Sequence, residues 1–250
     1  MDTLIGKHTS SLIEGMFKVG AHFGFSRSRR HPSFASVIFG SKNGTDIINL
    51  EKTGVFLAQA VDFAKKMGSE NKVLLFVGTK PEARRVVEEA ALSCGAPSVS
   101  RRWIGGTLTN FTEIKKRMSL LDSLQKKREA GELDVYTKKE QLGLHRQIIE
   151  LLQNFGGIAA LAKTPDAIFV VDPRHEHTAV DEARKRRIPV IALAGPDCDI
   201  TAIDYAIPAN DSSLQSITFF VEQIARAYED GKKNASVKKE EGVPGVPAAL

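Results

Sequence analysis

Three blocks of unbroken apolar residues set the terms for this chain: Val73–Val77 within Lys72–Thr79 (Lys-Val-Leu-Leu-Phe-Val-Gly-Thr), Ala167–Val171 (Ala-Ile-Phe-Val-Val) and Pro189–Ala194 (Pro-Val-Ile-Ala-Leu-Ala). A strand with one wet face alternates polar and apolar residues, whereas a strand covered on both faces reads as a continuous hydrophobic run. The blocks therefore imply a parallel sheet between two helical layers, with shorter strands at Pro97–Ser100 and Asp204–Ile207. Amphipathic segments alternate with them: Glu51–Met67, Pro81–Ser93 and Ala179–Arg186. Strand and helix in alternation define an α/β fold with a doubly wound parallel sheet.

The middle of the chain breaks that rhythm. After Gly105-Gly106, Asn110 is placed to cap a helix with Glu113 three residues on, and Phe111, Ile114, Met118, Leu121 and Leu124 recur at spacings of three and four. The polar turn Arg128–Glu132 leads into a capping box, Thr137-Lys138-Lys139-Glu140, and a second stripe at Leu144, Ile148, Leu151 and Phe155. Two narrow stripes imply an antiparallel, coiled-coil-like helical hairpin inserted in the sheet domain. The reading is one discontinuous α/β domain over 1–106 and 156–230, a protruding hairpin over 107–155, and a mobile tail over 231–250, where periodicity is lost. Two further helix starts are expected, a capping box at Thr79-Lys80-Pro81-Glu82 and a cap at Asp211-Ser212-Ser213 ahead of Leu214–Tyr228.

Composition narrows the function. With 250 residues and 42% hydrophobic content the chain has material for a core, and no apolar run approaches the roughly 20 residues of a membrane span. Cys94 and Cys198 match no paired metal spacing, which suits a reducing cytosol, and Met1–Ser11 has the pattern of neither a secretion signal nor a transit peptide. The formal charge is only +5, but the excess is clustered. Arg27, Arg29 and Arg30 form one knot without a nearby acid in sequence. Arg101, Arg102, Lys115, Lys116, Arg117, Lys126, Lys127 and Arg128 form a second group, opposed only by Glu113 and Asp122. Clustered cations of this kind neutralise phosphates.

Arg101-Arg102-Trp103 combines two guanidiniums, able to fork onto phosphates, with an indole that either stacks on a base or anchors the hairpin root in the core. Residues Ala21–Pro32 interleave aromatic, small and basic residues without helical period, as a loop lying along a phosphate backbone would. Enzyme signatures are sparse. Gly78-Thr79-Lys80 between strand and helix resembles a phosphate cradle, but no G-x-G-x-x-G or Walker-type spacing accompanies it, and helix capping accounts for the same residues. Asp172–His177 alternates histidines with carboxylates; the metal reading lacks a third partner, and a loop capping the next helix explains Asp172. Cys94 reads as structural, while Cys198 follows a strand where α/β enzymes place ligands. The expectation is no catalysis, no cofactor and no metal. The alternatives are an α/β enzyme binding a phosphorylated small molecule at Gly78–Lys80, and an adaptor whose hairpin binds protein.

Six blocks, in order and spacing, resemble one family: Ala21–Gly24 (Ala-His-Phe-Gly), Asn43–Thr53, Phe76–Lys80, Arg102–Phe111 (Arg-Trp-Ile-Gly-Gly-Thr-Leu-Thr-Asn-Phe), Pro165–Pro173 and Ile203–Asp211. Together they are similar to the S2 family of small-subunit ribosomal proteins, over roughly Ile5 to Tyr228. Phe25-Ser26, Arg101 and Gly195-Pro196-Asp197 depart from its usual residues. The resemblance implies a flavodoxin-like core with a protruding hairpin and a structural, non-catalytic role in the small subunit. It further implies attachment to small-subunit ribosomal RNA, neighbouring ribosomal proteins as partners, and help in docking the large messenger-binding protein S1.

Overall fold

The computed structural model describes residues 11–241. Helix α1 occupies residues 11–18. An antiparallel sheet follows, built from β1 (Phe23–Ser26), β2 (Ile38–Lys42) and β3 (Thr45–Ile48) in the order β1-β3-β2. Its hairpin turns on Asn43-Gly44, both at positive φ (52° and 78°), with Lys42 opposite Thr45. Asn-Gly is the dipeptide that two-residue hairpins select, because both positions must be left-handed. The sequence reading of Ala21–Pro32 as a draped loop is thus corrected in part. Phe23–Ser26 pairs with β3, and the residues after it, with the 3-10 turns Arg27–Arg29 and Pro32–Val37, lie outside the sheet.

Helix α2 (Leu50–Ser69), capped by the Asn49 side chain, leads into the main sheet. Strands β4 (Leu74–Val77), β5 (Ser98–Val99), β6 (Ala167–Val171), β7 (Val190–Ala194) and β8 (Tyr205–Pro208) are all parallel, in the order β5-β4-β6-β7-β8. Helices α3 (Pro81–Ser93), α4 (Phe111–Glu129), α5 (Lys138–Phe155), α6 (His177–Arg186) and α7 (Leu214–Glu241) complete the chain. This is the parallel α/β core the apolar runs require, and it agrees with a flavodoxin-like arrangement. Every residue of β4, β6 and β7 is buried, and alternate residues enter opposite layers. Leu74, Phe76, Phe169, Ile191 and Leu193 meet α2, α3 and α7; Leu75, Val77, Ile168, Val170 and Ala192 share a cluster with Phe34, Trp103, Ile114, Ile148 and Ala183.

Helices α4 and α5 stand between β5 and β6. Ile114, Met118, Leu121 and Leu124 are buried on one and Ile148, Leu151 and Phe155 on the other, continuous with the second core layer. The Thr137–Glu140 capping box forms as the spacing requires. Other expected caps do not. Asn110 makes no side-chain cap bond; its backbone carbonyl accepts from Glu113 N at 3.1 Å instead. The Thr79 hydroxyl is given to Glu176 at 2.5 Å, so α3 starts on Pro81 with no capping side chain. Ahead of α7 it is Asn210 Oδ1 that accepts from Ser212 and Ser213, while Asp211 turns inward and accepts from Gly195 N at 3.1 Å.

Helix α7 runs on to Glu241, so the aperiodic tail expected from residue 231 begins as helix; 242–250 lie outside the described residues. Gly231 does not end the helix but crosses Gly68 of α2. A Cβ on Gly231 would lie 2.1 Å from Lys65 O, and one on Gly68 would lie 2.2 Å from Tyr228 O. Only paired glycines let the two backbones approach this closely.

Candidate nucleic-acid interface

Because the five strands are parallel, the segments leaving them share one end of the sheet. Thr79-Lys80 leave β4, Ser100–Trp103 leave β5, Asp172–Glu176 leave β6 and Gly195–Asp199 leave β7. The chain steps outward from β4 to β5 and then returns to the other side of β4, so loops diverge at this end and open crevices there.

Arg101 and Arg102 are exposed at this end, and neither has an acidic partner among the described residues. Their loop is rigid because Glu182 of α6 holds it. Its carboxylate accepts from Trp103 Nε1 at 3.1 Å, Gly106 N at 2.7 Å, Leu108 N at 2.9 Å, Thr109 N at 3.1 Å and Thr109 Oγ1 at 3.1 Å. Burial pushes the Glu182 carboxyl up, but these donors outweigh it and hold the pKa below the ordinary glutamate value. Trp103 is 9% exposed with its N–H spent on Glu182. The indole thus serves as an anchor, the second of the two readings the sequence left open.

The first knot reaches the same end of the sheet. His31 N donates to Pro196 O at 2.8 Å and Ile200 N to Ser33 Oγ at 3.2 Å, which ties the Arg27–Val37 segment to the loop after β7. Arg27 and Arg29 are exposed. Arg30, read from sequence as lacking a nearby acid, faces the buried Asp46 at 3.7 Å because the β2–β3 hairpin brings that carboxylate alongside. On α4, Lys115, Arg117, Lys127 and Arg128 are exposed without an acidic partner. Lys116 pairs with Glu113 and Lys126 with Asp122, each at 2.7 Å. Such exposed one-turn pairs are worth about 0.3–0.5 kcal/mol and exchange readily for a phosphate.

Sequence reasoning passed over a further group. Arg184, Lys185, Arg186 and Arg187 end α6, all exposed, a few residues beyond Glu182. Four consecutive cations were a visible signal, masked by their fit to the negative end of a helix dipole.

The Gly78–Lys80 turn is closed. Gly78 packs so that a Cβ would lie 2.8 Å from Val87 Cγ2, Thr79 N donates to Glu176 at 2.8 Å, and Lys80 pairs with Asp172 and lies 4.0 Å from Asp211. Its donors are committed, so it offers no open cradle. Asp172, Cys198 and Asp211 bring ligand atoms within 4.8 Å of one another, and Lys80 is the cation already among them. Burial and the Asp172 charge raise Asp211 to about 7; burial and the neighbouring carboxylates push the Cys198 thiol up, leaving it a poor nucleophile. Asp172 accepts from Arg174 N and His175 N, which organises the turn before α6, but it does not cap the helix as the sequence reading expected: α6 begins at His177 with Glu176 at the cap position and no side-chain cap bond. No helix among the described residues is long and apolar enough to cross a membrane.

A family model described as ribosomal protein S2 matches residues 16–231. Among curated proteins, the small ribosomal subunit protein uS2 of Dictyoglomus thermophilum is 41% identical over 221 residues, 88% of this chain and 90% of that protein. Its counterpart in Dictyoglomus turgidum is 40% identical over the same shares, and that of Chloroflexus aggregans is 39% identical over 228 residues, covering 91% of this chain and 96% of that protein.

Proposed function

The chain belongs to the ribosomal protein S2 family, whose members are structural proteins and not enzymes, and from this we propose that it binds small-subunit ribosomal RNA as a structural part of the small ribosomal subunit. The observation that carries the reading is the set of cations left over after folding. Arg27, Arg29, Arg101, Arg102, Lys115, Arg117, Lys127 and Arg128 are exposed and hold no acidic partner among the described residues. Like charges that are neither buried nor paired repel one another, and a polyanion relieves that repulsion while releasing its own counterions.

In this reading the α/β domain, expected over 1–106 and 156–230 with 1–10 outside the described residues, is the rigid body, and residues 107–155 form a hairpin that projects from it. The cations of α4 then extend the basic surface outward. From Lys115 to Lys126 the helix rises roughly 16 Å at about 1.5 Å per residue, a span of several phosphates. Arg184–Arg187 enlarges the surface beside the hairpin root. Neighbouring ribosomal proteins, the messenger-binding protein S1 among them, complete the assembly on faces the RNA leaves free.

Equilibrium binding of the full chain to small-subunit ribosomal RNA, measured across a salt series, tests this. With about six phosphates neutralised, affinity falls by about three decades between 50 and 200 mM salt. A salt-independent affinity, or none at 50 mM, overturns the proposal.

A further inference from the structure

Beside the closed Gly78–Lys80 turn lies a cleft of about 400 Å³ between the first turn of α3, the Arg101–Trp103 loop and the turn leading into α6. We propose that this cleft is a phosphate-binding site that seats a backbone phosphate of RNA, with Arg84, Arg101 and Arg102 as its cations and His175 at its wall. The proposal rests on the RNA-binding reading above and adds to it a particular site and two residues, Arg84 and His175, that the basic clusters did not include.

The cleft is built for an anion. Arg84 is fixed by its Nε, which donates to Thr79 O at 2.9 Å, so its two terminal amino groups are held ready and have no acidic partner among the described residues. Arg101 and Arg102 enter from a backbone that Glu182 has already tied down. The acid lining the cleft, Glu176, is 3% exposed, its Oε1 is engaged by Thr79 N and Thr79 Oγ1, and the three arginines of the lining outnumber its single charge. His175 Nε2 lies 3.2 Å from Thr79 Oγ1 and 3.9 Å from Glu176 Oε1, which sets the ring against this wall. Pro81 opens α3 without a capping side chain, and the positive end of that helix adds to the field. Glu82 in the same turn is exposed and does not line the cleft.

Shape and chemistry favour a backbone phosphate over a free nucleotide. A nucleotide pocket needs an apolar slot or a broad aromatic face for the base; here Trp103 is buried with its N–H on Glu182, and the other ring of the lining, His175, is held by one nitrogen near the Thr79 hydroxyl. What the cleft offers is guanidinium forks, which recognise phosphate and leave the base unread.

The test compares the full-length wild type with R84Q/R101Q/R102Q on transcribed small-subunit ribosomal RNA over 50–200 mM salt, with Arg226→Gln, an exposed α7 cation paired to Glu222, as control. The native emission of Trp103, the single tryptophan, reports that each variant is folded. The triple variant is expected to bind more weakly, with a salt slope smaller in magnitude by about 1–2, while the control is unchanged. A wild type that binds with its full slope and a folded triple variant indistinguishable from it overturn the cleft and leave the broader reading standing. A wild type that fails to bind overturns both. Calorimetry with inorganic phosphate and adenosine monophosphate separates the sources: stoichiometric nucleotide binding far tighter than phosphate, abolished in the triple variant, overturns the RNA assignment.

Discussion

Glu182 shows how one buried charge can shape a binding surface without touching a ligand. It is 6% exposed, yet it organises the loop that presents Arg101 and Arg102, since backbone N–H groups from three residues and the Trp103 indole converge on it. In Glu182→Gln the amide nitrogen faces those N–H groups and cannot accept from them, so stability should drop by about 2–4 kcal/mol in urea unfolding followed by Trp103 emission. Because the folded pKa lies below the ordinary value, the wild-type stabilisation is present at neutral pH and lost as pH falls through that lowered value; the variant should lack this acid limb. Asp211 has the opposite sign. Its folded pKa is raised to about 7, so its favourable contribution is complete near pH 4 and lost as pH rises toward 7. Asp211→Asn keeps an acceptor for Gly195 N and cannot ionise, so thermal melting should give curves that coincide at pH 4 and separate by pH 8, the variant melting higher. Neither role was legible in sequence. The Trp103–Glu182 bond joins residues 79 apart, and no local pattern marks one glutamate among many as the acceptor for a distant loop.

At the scale of elements, local physics was legible where the interaction is local. The boundaries of α3 and β6 follow from periodicity and apolar runs, and the Thr137–Glu140 capping box forms because its donors and acceptors lie within one turn. The cap read at Thr79 fails because its hydroxyl donates to the buried Glu176 of the turn before α6, and at Asn110 the backbone carbonyl, not the side chain, takes the Glu113 N–H. The small antiparallel sheet was the clearest oversight, since Asn43-Gly44 carries the hairpin signal in two residues. Helix α7 shows a different failure. Gly231 reads as a stop, but the α2 backbone at Gly68 removes the room in which any other residue would sit, and the helix passes straight through. Gly231→Ala, which would raise helix propensity in isolation, should therefore destabilise the fold by about 1–3 kcal/mol or more, measured by chemical denaturation. A neutral or stabilising result would refute the close crossing.

For the whole molecule, the basic residues matter through where folding sends them. Knots at Arg27–Arg30 and Arg101–Arg102 lie some seventy positions apart in sequence; the second reaches one end of the sheet as the exit of β5, and the first because its segment is hydrogen-bonded to the exit of β7. If that shared end and α4 act as one surface, R27Q/R29Q and K115Q/R117Q should each reduce the magnitude of the salt slope for small-subunit ribosomal RNA by about 1–2, and the combined variant by about the sum. A combined loss no greater than either alone would show that the two regions meet the same phosphates. Composition and periodicity by themselves determined the layered α/β core, the two stripes of α4 and α5, and the presence of surplus clustered charge, because hydrophobic period and capping are interactions between residues a few positions apart. Only the tertiary structure decided that Trp103 is an anchor, that Arg30 is engaged by Asp46, that Lys80 closes its own turn, and that Arg84 joins Arg101 and Arg102 around one cleft. The first three are pairings of charges or donors between residues well apart in sequence, and burial, which makes an unpaired polar group costly, selects the partner only once the chain has closed around it; the last follows from the strand exits being brought together.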